Sequence, residues 1–564
     1  MDSVNSFKGY GKVDELEEAA FKRKSRKRAI ILFISLLLLL LLIIGVVVAT
    51  LSHKKNTNKD SGDVAAAQVA AVKSICSVTQ YRESCIASLE SSNSTNPAKI
   101  FELSLMVVTD SLKKIVNFPS TYASRAESNK LVKQALQICE SELNDAVESL
   151  EDTISAVRGG GGKKLTSRID DLRTWLSAAA TNQETCLDAL DEADAEFSDE
   201  IKALMKNSTE FASNSLAIAT KIVAVIGDFK IPTHRRLLGE LPEWVDRRML
   251  QESQPAPNVT VAKDGSGDVK SVAEAVALVP KKSAARFVIY VKAGEYVENI
   301  DMDKSCWNVM VYGDGKGVTI ISGSRNFVDG TPTFSTATFA IAGKGFIARD
   351  ITFKNTAGAE KHQAVAFRSG SDESVYYRCS FDAFQDTLYA HSNRQFYRDC
   401  DITGTIDFIF GNAGVVFQGC NIQPRQPMPN QFVTITAQGK KDPNQNTGIS
   451  IQRCTMSPLD NLTAQTYLGR PWKDFSTTVI METNIGGFLN PKGWISWVPN
   501  VDPPATIFYG EYQNSDLGSA TANRVKWAGY KPAMTPAEAS KYNVESLIQG
   551  PSWLPSTNVA FQVN

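Results

Sequence analysis

The distribution of apolar residues divides the chain into segments of different character. Residues 29–51 form an apolar run without a charged side chain. From about residue 64 to residue 229, apolar residues recur every three or four positions, the spacing of a helix that buries one face. From residue 258 onward, short β-rich runs alternate with Gly, Asn and Asp. The pattern therefore predicts one apolar helix, then a helical region, then an all-β region.

The apolar run contains 23 residues. A helix rises about 1.5 Å per residue and the hydrocarbon core of a bilayer is roughly 30 Å thick, so the run is long enough to span it. The basic segment KRKSRKR at 22–28 precedes it. We predict a basic cytoplasmic tail over residues 1–28 and a transmembrane or signal-anchor helix over residues 29–51, with the rest exported. The alternative, a buried core helix, rarely stays apolar on every face.

Two further features fit an exported protein. The chain contains nine cysteines, and export would place them in an oxidising compartment, where disulfides persist. Four N-x-[ST] triplets are candidate glycosylation sites: Asn93, Asn207, Asn258 and Asn461.

Residues 64–229 are predicted to form an all-α bundle of four main helices, with the four glycines at 159–162 as a break between two of them. The region contains four cysteines. We predict the bonds Cys76–Cys85 and Cys139–Cys186, although spacing alone allows three pairings.

Residues 230–257 form a predicted linker that contains two prolines near its end. It carries two basic tetrapeptides, RRLL from Arg235 to Leu238 and RRML from Arg247 to Leu250. Such motifs between folded units indicate cleavage by a processing protease. A plain basic linker is the alternative.

One short register recurs in the β region, centred on positions 351, 379, 400, 420 and 454, so that the successive separations are 28, 21, 20 and 34. A period near 20 with insertions is typical of a solenoid of stacked β coils, and the scarcity of long helical patterns disfavours a βα barrel. Rungs of such a solenoid lie about 4.8 Å apart. Cys400 and Cys420 would then be within disulfide reach; an unlinked buried cysteine ladder is the alternative.

Composition and motifs exclude several function classes. The 60 Lys and Arg balance 61 Asp and Glu, giving a net charge of −1, so no charge excess points to nucleic acid. The sequence has no G-x-S-x-G, C-x-x-C or H-E-x-x-H motif, which argues against a serine esterase and a zinc site. His362 and His391 have no nearby Ser or Cys pattern and are predicted to be structural or surface residues.

Asp386 and Asp407 are the strongest candidates for chemistry. Their separation equals one predicted coil, so they should be neighbours on one face of the solenoid. Asp407 sits inside an apolar run, where a lone charge is costly. Gln363 and Gln385 fit the same face, and two amide donors beside two acids could bind an oxyanion. Ordinary loop polarity is the alternative.

The segment LGRPW at 468–472 adds a cation and an aromatic ring. Arg470 could hold a carboxylate through a forked hydrogen bond. Trp472 could form an apolar wall for a sugar ring, or simply pack in the core.

Together these motifs resemble plant pectin methylesterases. The matching segments are GSG at 265–267, KHQAVA at 361–366, QDTLY at 385–389, GTIDFIFG at 404–411 and LGRPW at 468–472. The helical region resembles the pectin methylesterase and invertase inhibitor family through its four cysteines and the segment NQETCLD at 182–188.

The resemblance implies an all-β right-handed parallel β-helix over residues 258–564, preceded by the inhibitor-like bundle. It implies hydrolysis of the methyl esters of galacturonate units in pectin, which yields methanol and pectate, without a metal or organic cofactor. It also implies a precursor secreted through the ER and Golgi to the cell wall, with a proteinaceous pectin methylesterase inhibitor as a possible partner. Whether the bundle inhibits the attached enzyme, assists folding or does neither stays open.

The resemblance also implies roles for individual residues. Asp407 attacks the ester carbonyl, and Asp386 donates a proton to the departing methanol and then accepts one from water. Arg470 orients Asp407 and helps to keep it ionised. Gln363 and Gln385 stabilise the negative oxygen of the tetrahedral intermediate.

The implied substrate contacts are Thr338, Gln363, Arg470 and Trp472. Competing functions are a pectate lyase or polygalacturonase on the same fold and a wall-binding protein without activity. The sequence lacks the dense Asp cluster that a calcium-dependent lyase would need, and the intact candidate site argues against loss of activity.

Overall fold

The computed structural model describes residues 61–126, 128–227 and 255–563. The predicted tail 1–28, the predicted anchor 29–51 and both basic tetrapeptides of the linker lie outside these residues. Within the described part, no helix has the length and apolar character needed to cross a membrane.

Seven helices form the N-terminal described region. They are α1 Ser61–Cys76, α2 Arg82–Leu89, α3 Pro97–Ile115, α4 Phe118–Tyr122, α5 Lys130–Ser167, α6 Ile169–Glu192 and α7 Ser198–Gly227. The start of α3 shows why the sequence folds here: Pro97 occupies the first turn and the Asn96 side chain accepts a hydrogen bond from the Ala98 amide at 2.9 Å. The long helices α3, α5, α6 and α7 share a core that includes Phe101, Leu143 and Leu176, all fully buried.

The predicted break at glycines 159–162 is wrong, because α5 continues through it to Ser167. Glycine costs a helix interior only about 1 kcal/mol per residue relative to alanine. The rest of α5, which packs along the bundle core, can outweigh that cost. The chain turns instead at Arg168, before α6.

Both predicted disulfides of the bundle are present. Cys76–Cys85 ties α1 to α2, and Cys139–Cys186 ties α5 to α6 across a sequence separation of 47. A bond that closes a loop of that length restricts the unfolded chain by about 4 kcal/mol in the entropic model.

The described residues from 255 onward contain twenty-six strands in three sheets, and every strand pairing is parallel. Sheet 1 contains β1 Val259–Val261, β2 Phe287–Val291, β5 Val309–Tyr312, β8 Ile347–Arg349, β11 Ser374–Tyr377, β14 Arg394–Arg398, β17 Gly414–Gln418, β20 Gly448–Gln452, β23 Thr477–Met481, β25 Phe508–Tyr512 and β26 Tyr530–Lys531. Sheet 2 contains β4 Ile300–Met302, β7 Phe339–Ile341, β10 Phe367–Ser369, β13 Leu388–Ala390, β16 Ile409–Gly411, β19 Val433–Gln438 and β22 Thr466–Gly469.

Sheet 3 contains β3 Gly294–Val297, β6 Thr319–Gly323, β9 Thr352–Asn355, β12 Ser380–Asp382, β15 Asp401–Gly404, β18 Asn421–Pro424, β21 Thr455–Met456 and β24 Asn484–Ile485. Short helices lie near the two ends of the region: α8 Val272–Ala277, α9 Pro536–Ala539, α10 Val544–Ile548 and α11 Gly550–Trp553. Each complete coil adds one strand to each sheet, which makes the region a parallel β-helix.

The register of sheet 3 confirms the predicted repeat. Thr352 pairs with Ser380, Ser380 with Asp401, Asp401 with Asn421, and Asn421 with Thr455. The unequal spacings of the repeat along the sequence are therefore the lengths of successive coils.

The turn from sheet 1 to sheet 3 has the same backbone conformation in successive coils. Asp350, Arg378, Asp399, Gly419 and Arg453 each precede a repeat position and have φ between 51° and 67°. This left-handed conformation is costly for residues with a side chain. On one pair of adjacent coils, an ion pair joins two of these residues and offsets part of that conformational cost. Arg378 donates to both carboxylate oxygens of Asp350 at 2.7 and 2.6 Å.

The predicted Cys400–Cys420 bond is wrong, because both cysteines are free and buried in line with Cys379 and Cys454. In-register side chains on parallel strands point the same way, so their Cβ atoms stay near the strand spacing of about 4.8 Å. A disulfide needs Cβ atoms about 3.5–4.5 Å apart. The unlinked cysteine ladder is the arrangement found.

The bundle packs against sheet 2. One hydrophobic cluster combines the bundle core with buried residues of four sheet-2 strands, namely Ala340, Tyr389, Phe410 and Ala437. The candidate aspartates lie just before two strands of sheet 2. The bundle therefore packs on the sheet at whose edge they lie.

Candidate active site

Asp386 and Asp407 lie side by side on adjacent coils. Each precedes its sheet-2 strand by two residues, and Leu388 of β13 pairs with Ile409 of β16. The aspartates are therefore in register, one rung apart, with an expected backbone separation of about 4.8 Å. Their φ values are 63° and 51°, a conformation that is rare for residues other than glycine and clusters at functional sites.

Asp407 is held by a fork of hydrogen bonds. Arg470 donates through Nε to Oδ1 and Oδ2 at 2.9 and 3.0 Å, and through Nη2 to Oδ2 at 2.5 Å. Thr434 Oγ1 donates to Oδ1 at 2.6 Å. Burial lowers the pKa of Arg470, but the charge of Asp407 and these hydrogen bonds outweigh burial, and the net shift is upward. The cluster thus favours a guanidinium–carboxylate ion pair.

Asp386 lies in surroundings that disfavour its charged form. It is 8% exposed, and burial is the largest cause that raises its pKa well above the usual value. The charges of Asp407 and of Glu192 in α6 raise it further, whereas Arg470 lowers it. These surroundings favour the protonated form of Asp386.

The two glutamines pair with each other across adjacent coils. Gln363 and Gln385 form an isolated parallel bridge, and the Ala364 amide donates to the Gln385 carbonyl at 3.2 Å. Both side chains are half-buried beside the entry to sheet 2. Gln385 directly precedes Asp386, so both amides belong to the same edge as the aspartates.

An aromatic wall flanks Arg470. The Trp472 ring lies 6.3 Å from the Phe410 ring and 6.4 Å from the Trp497 ring, between centroids. The Arg470 guanidinium lies 4.2 Å from the Trp497 centroid. Trp497 and Thr434 were not predicted from the sequence, because neither belongs to a motif and each reaches the site from a different coil.

Two other residues occupy different surroundings. Thr338 is fully buried, and its hydroxyl donates to the Lys354 carbonyl at 2.9 Å, so its substrate contact stays a prediction. His391 is buried against the bundle, with Nε2 at 2.8 Å from Thr185 Oγ1. All four predicted glycosylation asparagines are exposed, and their modification also stays a prediction.

Helix α6 runs over this edge of the β-helix. Glu192 accepts hydrogen bonds from the Thr333 amide at 3.0 Å and from the Thr333 hydroxyl. Thr181 Oγ1 accepts from Asn412 Nδ2 at 2.9 Å. In the intact chain, 8% of Asp386 and 5% of Asp407 is exposed.

We expect Asp386→Asn to stabilise the protein at neutral pH. The raised pKa means that the folded chain holds this proton more tightly than the unfolded chain, whose Asp pKa is about 3.9. The contribution of Asp386 is therefore fully present below pH 4 and is lost as the pH rises through the folded pKa. The variant should melt above the wild type at pH 7, with a difference that shrinks towards pH 4 in calorimetry. Equal melting temperatures at pH 7 would contradict this.

No group of three or more His, Cys, Asp or Glu side chains that could hold a metal ion occurs in the part of the chain that the structure describes. The side chains gathered at this edge of sheet 2 offer two carboxyl groups, one guanidinium and amide donors.

Comparison with known proteins gives consistent relatives for both regions. The Pectinesterase family model matches residues 258–551, and the model for plant invertase/pectin methylesterase inhibitors matches residues 70–218. Pectinesterase 3 of Phaseolus vulgaris is 58% identical over 100% of this chain and 99% of its own length. Pectinesterase 1 of Arabidopsis thaliana is 58% identical over 100% of both proteins.

A solved structure resembles the β region. The pectin methylesterase from carrot is 52% identical, with a TM-score of 0.54, and the match covers 55% of this chain and 99% of that one. The carrot chain therefore corresponds to the β-helix without the bundle.

Proposed function

This chain belongs to the pectinesterase family and is a pectin methylesterase with an inhibitor-like N-terminal domain, and we propose that Asp407 and Asp386 carry out its ester hydrolysis. The observation that supports this assignment is the contrast between the two aspartates. Arg470 and Thr434 hydrogen-bond to Asp407, whereas burial and neighbouring negative charges favour the protonated form of Asp386.

In the proposed first step, an Asp407 carboxylate oxygen attacks the carbonyl carbon of the methyl ester. The negative charge that forms on the carbonyl oxygen is stabilised by the amides of Gln363 and Gln385. The bond to the methoxy group then breaks as Asp386 donates its proton, so that methanol leaves and an acyl-aspartate anhydride remains.

In the second step, ionised Asp386 accepts a proton from water as the water oxygen attacks the acyl carbon. Asp407 leaves as a carboxylate, and the product is a galacturonic acid unit of the polymer. Arg470 stays paired with Asp407 at both ends of the cycle, because the carboxylate is charged before and after reaction. Trp472 and Trp497 provide a wall beside the reacting sugar.

Methanol release from methyl-esterified pectin tests this function directly. We expect methanol to appear without unsaturated products, which absorb in the ultraviolet, and without new reducing ends. Unsaturated products would instead indicate a lyase, and new reducing ends would indicate a polygalacturonase. A wall-binding protein without activity would retain pectin and release nothing.

We also propose that the bundle inhibits the attached enzyme. The supporting observation is that α6 lies along the edge of sheet 2 that carries the aspartates, with Glu192 close enough to Asp386 to raise the pKa of Asp386. Separation of the two regions would then be the activating step.

The proposed route to the cell wall uses the apolar segment 29–51 as a membrane anchor and cleavage at RRLL or RRML to free the enzyme. Replacing the arginine pairs 235–236 and 247–248 with alanine should keep the full-length precursor inside the cell. Immunoblots of cell and wall fractions measure this, and replacing one pair at a time identifies the site used. Unchanged secretion of a shortened enzyme from the four-alanine variant would refute cleavage at these motifs.

A further inference from the structure

Lys473 is a cation on the substrate side of the β-helix that the proposed mechanism does not use. It follows Trp472 in the segment that also carries Arg470, and its ammonium lies 5.2 Å from the Trp472 ring centroid. Only 14% of its side chain is exposed, because α6 lies over it. Nζ pairs with Glu184 Oε1 at 2.8 Å and with Asp188 Oδ1 at 2.5 Å.

Both of these acidic partners belong to the bundle. Some lysines of the β-helix pair within their own region, such as Lys316 with Asp401 at 2.7 Å and Lys354 with Asp382 at 3.1 Å. Lys282 also reaches the bundle, where it pairs with a single carboxylate, Glu148, at 2.6 Å. Among the described residues, the carboxylates that form ion pairs with Lys473 both lie on α6. When α6 departs, the ammonium therefore loses both carboxylates, while the Trp472 ring remains its neighbour.

The two bundle carboxylates show which chemical group the ammonium binds. Glu184 and Asp188 stand one helical turn apart, about 6 Å along the axis, and reach the same ammonium. Pectin presents a chain of sugars in which each C6 carries either a neutral methyl ester or a charged carboxylate. An ammonium in a partly buried site binds the carboxylate through charge-assisted hydrogen bonds, which a neutral ester cannot match.

We infer that Lys473 is a specificity residue that binds a free galacturonate carboxylate near the ester being hydrolysed, and that Glu184 and Asp188 occupy this place in the intact chain. The inference rests on the proposed function, because it requires pectin to lie along the same edge as the aspartates. It makes the enzyme favour esters that lie close to acid groups already released.

The test compares Lys473→Gln, Lys473→Arg and the control Lys316→Gln. Lys316 has a similar ion pair, but with a sheet-3 residue. Each protein is made as the full chain with a specific protease site inserted between residues 228 and 254, then cut and freed from the bundle. Methanol release is measured on nearly fully esterified pectin and on half-de-esterified pectin at equal ester concentration.

We expect Lys473→Gln to raise KM about tenfold on the half-de-esterified polymer, the size of one lost hydrogen bond to a charged group. KM on the fully esterified polymer and kcat on both should stay near wild type, and Lys473→Arg should restore KM. Unesterified polygalacturonate should inhibit the wild type about tenfold more strongly than Lys473→Gln. Lys316→Gln should change neither value.

An equal KM change on both polymers, or unchanged KM and unchanged inhibition by polygalacturonate, would overturn the role of Lys473. Failure of the proposed function gives a different result, namely no methanol from either polymer with the wild-type enzyme. The ratio of the two KM values thus tests Lys473 separately from the wild-type turnover that tests the esterase.

Discussion

Asp407→Asn is expected to abolish methanol release, with kcat lowered by about 10⁴-fold or more, as for loss of a catalytic nucleophile in other hydrolases. An amide oxygen is a poor nucleophile, and the neutral side chain no longer gives Arg470 a charge to pair with. The amide keeps the shape of the carboxylate and can still accept from Thr434, so the site should stay assembled. The measurement is methanol release by the enzyme freed from its bundle.

Folding must be separated from chemistry in that experiment. Leaving a buried cation without its partner typically costs about 3–5 kcal/mol, and Arg470 is only partly shielded, with 18% of its side chain exposed. Circular dichroism and thermal melting should therefore show a folded but less stable variant. Asp401→Asn is the matched control, because Asp401 lies in sheet 3 of the same coil and pairs with Lys316; its turnover should be near wild type. Near-wild-type turnover of a folded Asp407→Asn enzyme would remove Asp407 from the nucleophile role.

Freeing the β-helix from the bundle is expected to raise kcat/KM on pectin by about 100-fold. Under the proposed inhibition, the rate in the intact chain depends on the fraction of molecules in which α6 has moved away from the site. The attachment of α6 is extensive. It includes Lys473 with Glu184 and Asp188, and Arg394 Nη1 with Asp171 Oδ1 at 2.8 Å.

The full chain with a protease site inserted between residues 228 and 254 allows this comparison on one preparation. Methanol release is followed before cutting, after cutting, and after the bundle has been removed by chromatography in high salt. A chain without the inserted site, treated with the same protease, is the control. Equal kcat/KM in all three states would refute inhibition by the bundle.

The effects expected for Asp407→Asn and for removal of the bundle both depend on the coil structure. A solenoid places residues one period apart on neighbouring rungs, so Asp386 and Asp407, which are distant in sequence, become neighbours with different surroundings. Helix α6 contacts the same side of the β-helix, through Thr333 and Asn412. Catalysis and its proposed inhibition thus use the same edge of sheet 2.

Features that depend on local periodicity could be predicted from the chain alone. The recurring register of the β region specifies how successive coils pair, and that pairing places Asp386 beside Asp407. The helical spacing likewise predicted the bundle, because backbone geometry determines which positions of a repeat share one face. Its two disulfide bonds were predicted correctly, although spacing alone allows three pairings.

Contacts between distant surfaces, in contrast, followed only from the packed molecule. Thr434, Trp497 and Glu192 reach the site from two further coils and from the bundle, and no repeat connects them. The unlinked Cys400 and Cys420 depend on the direction of their side chains, which the coil period does not determine. The position of α6 over the aspartates depends on complementary shape and charge between two independently patterned regions, which is a property of packing and not of periodicity.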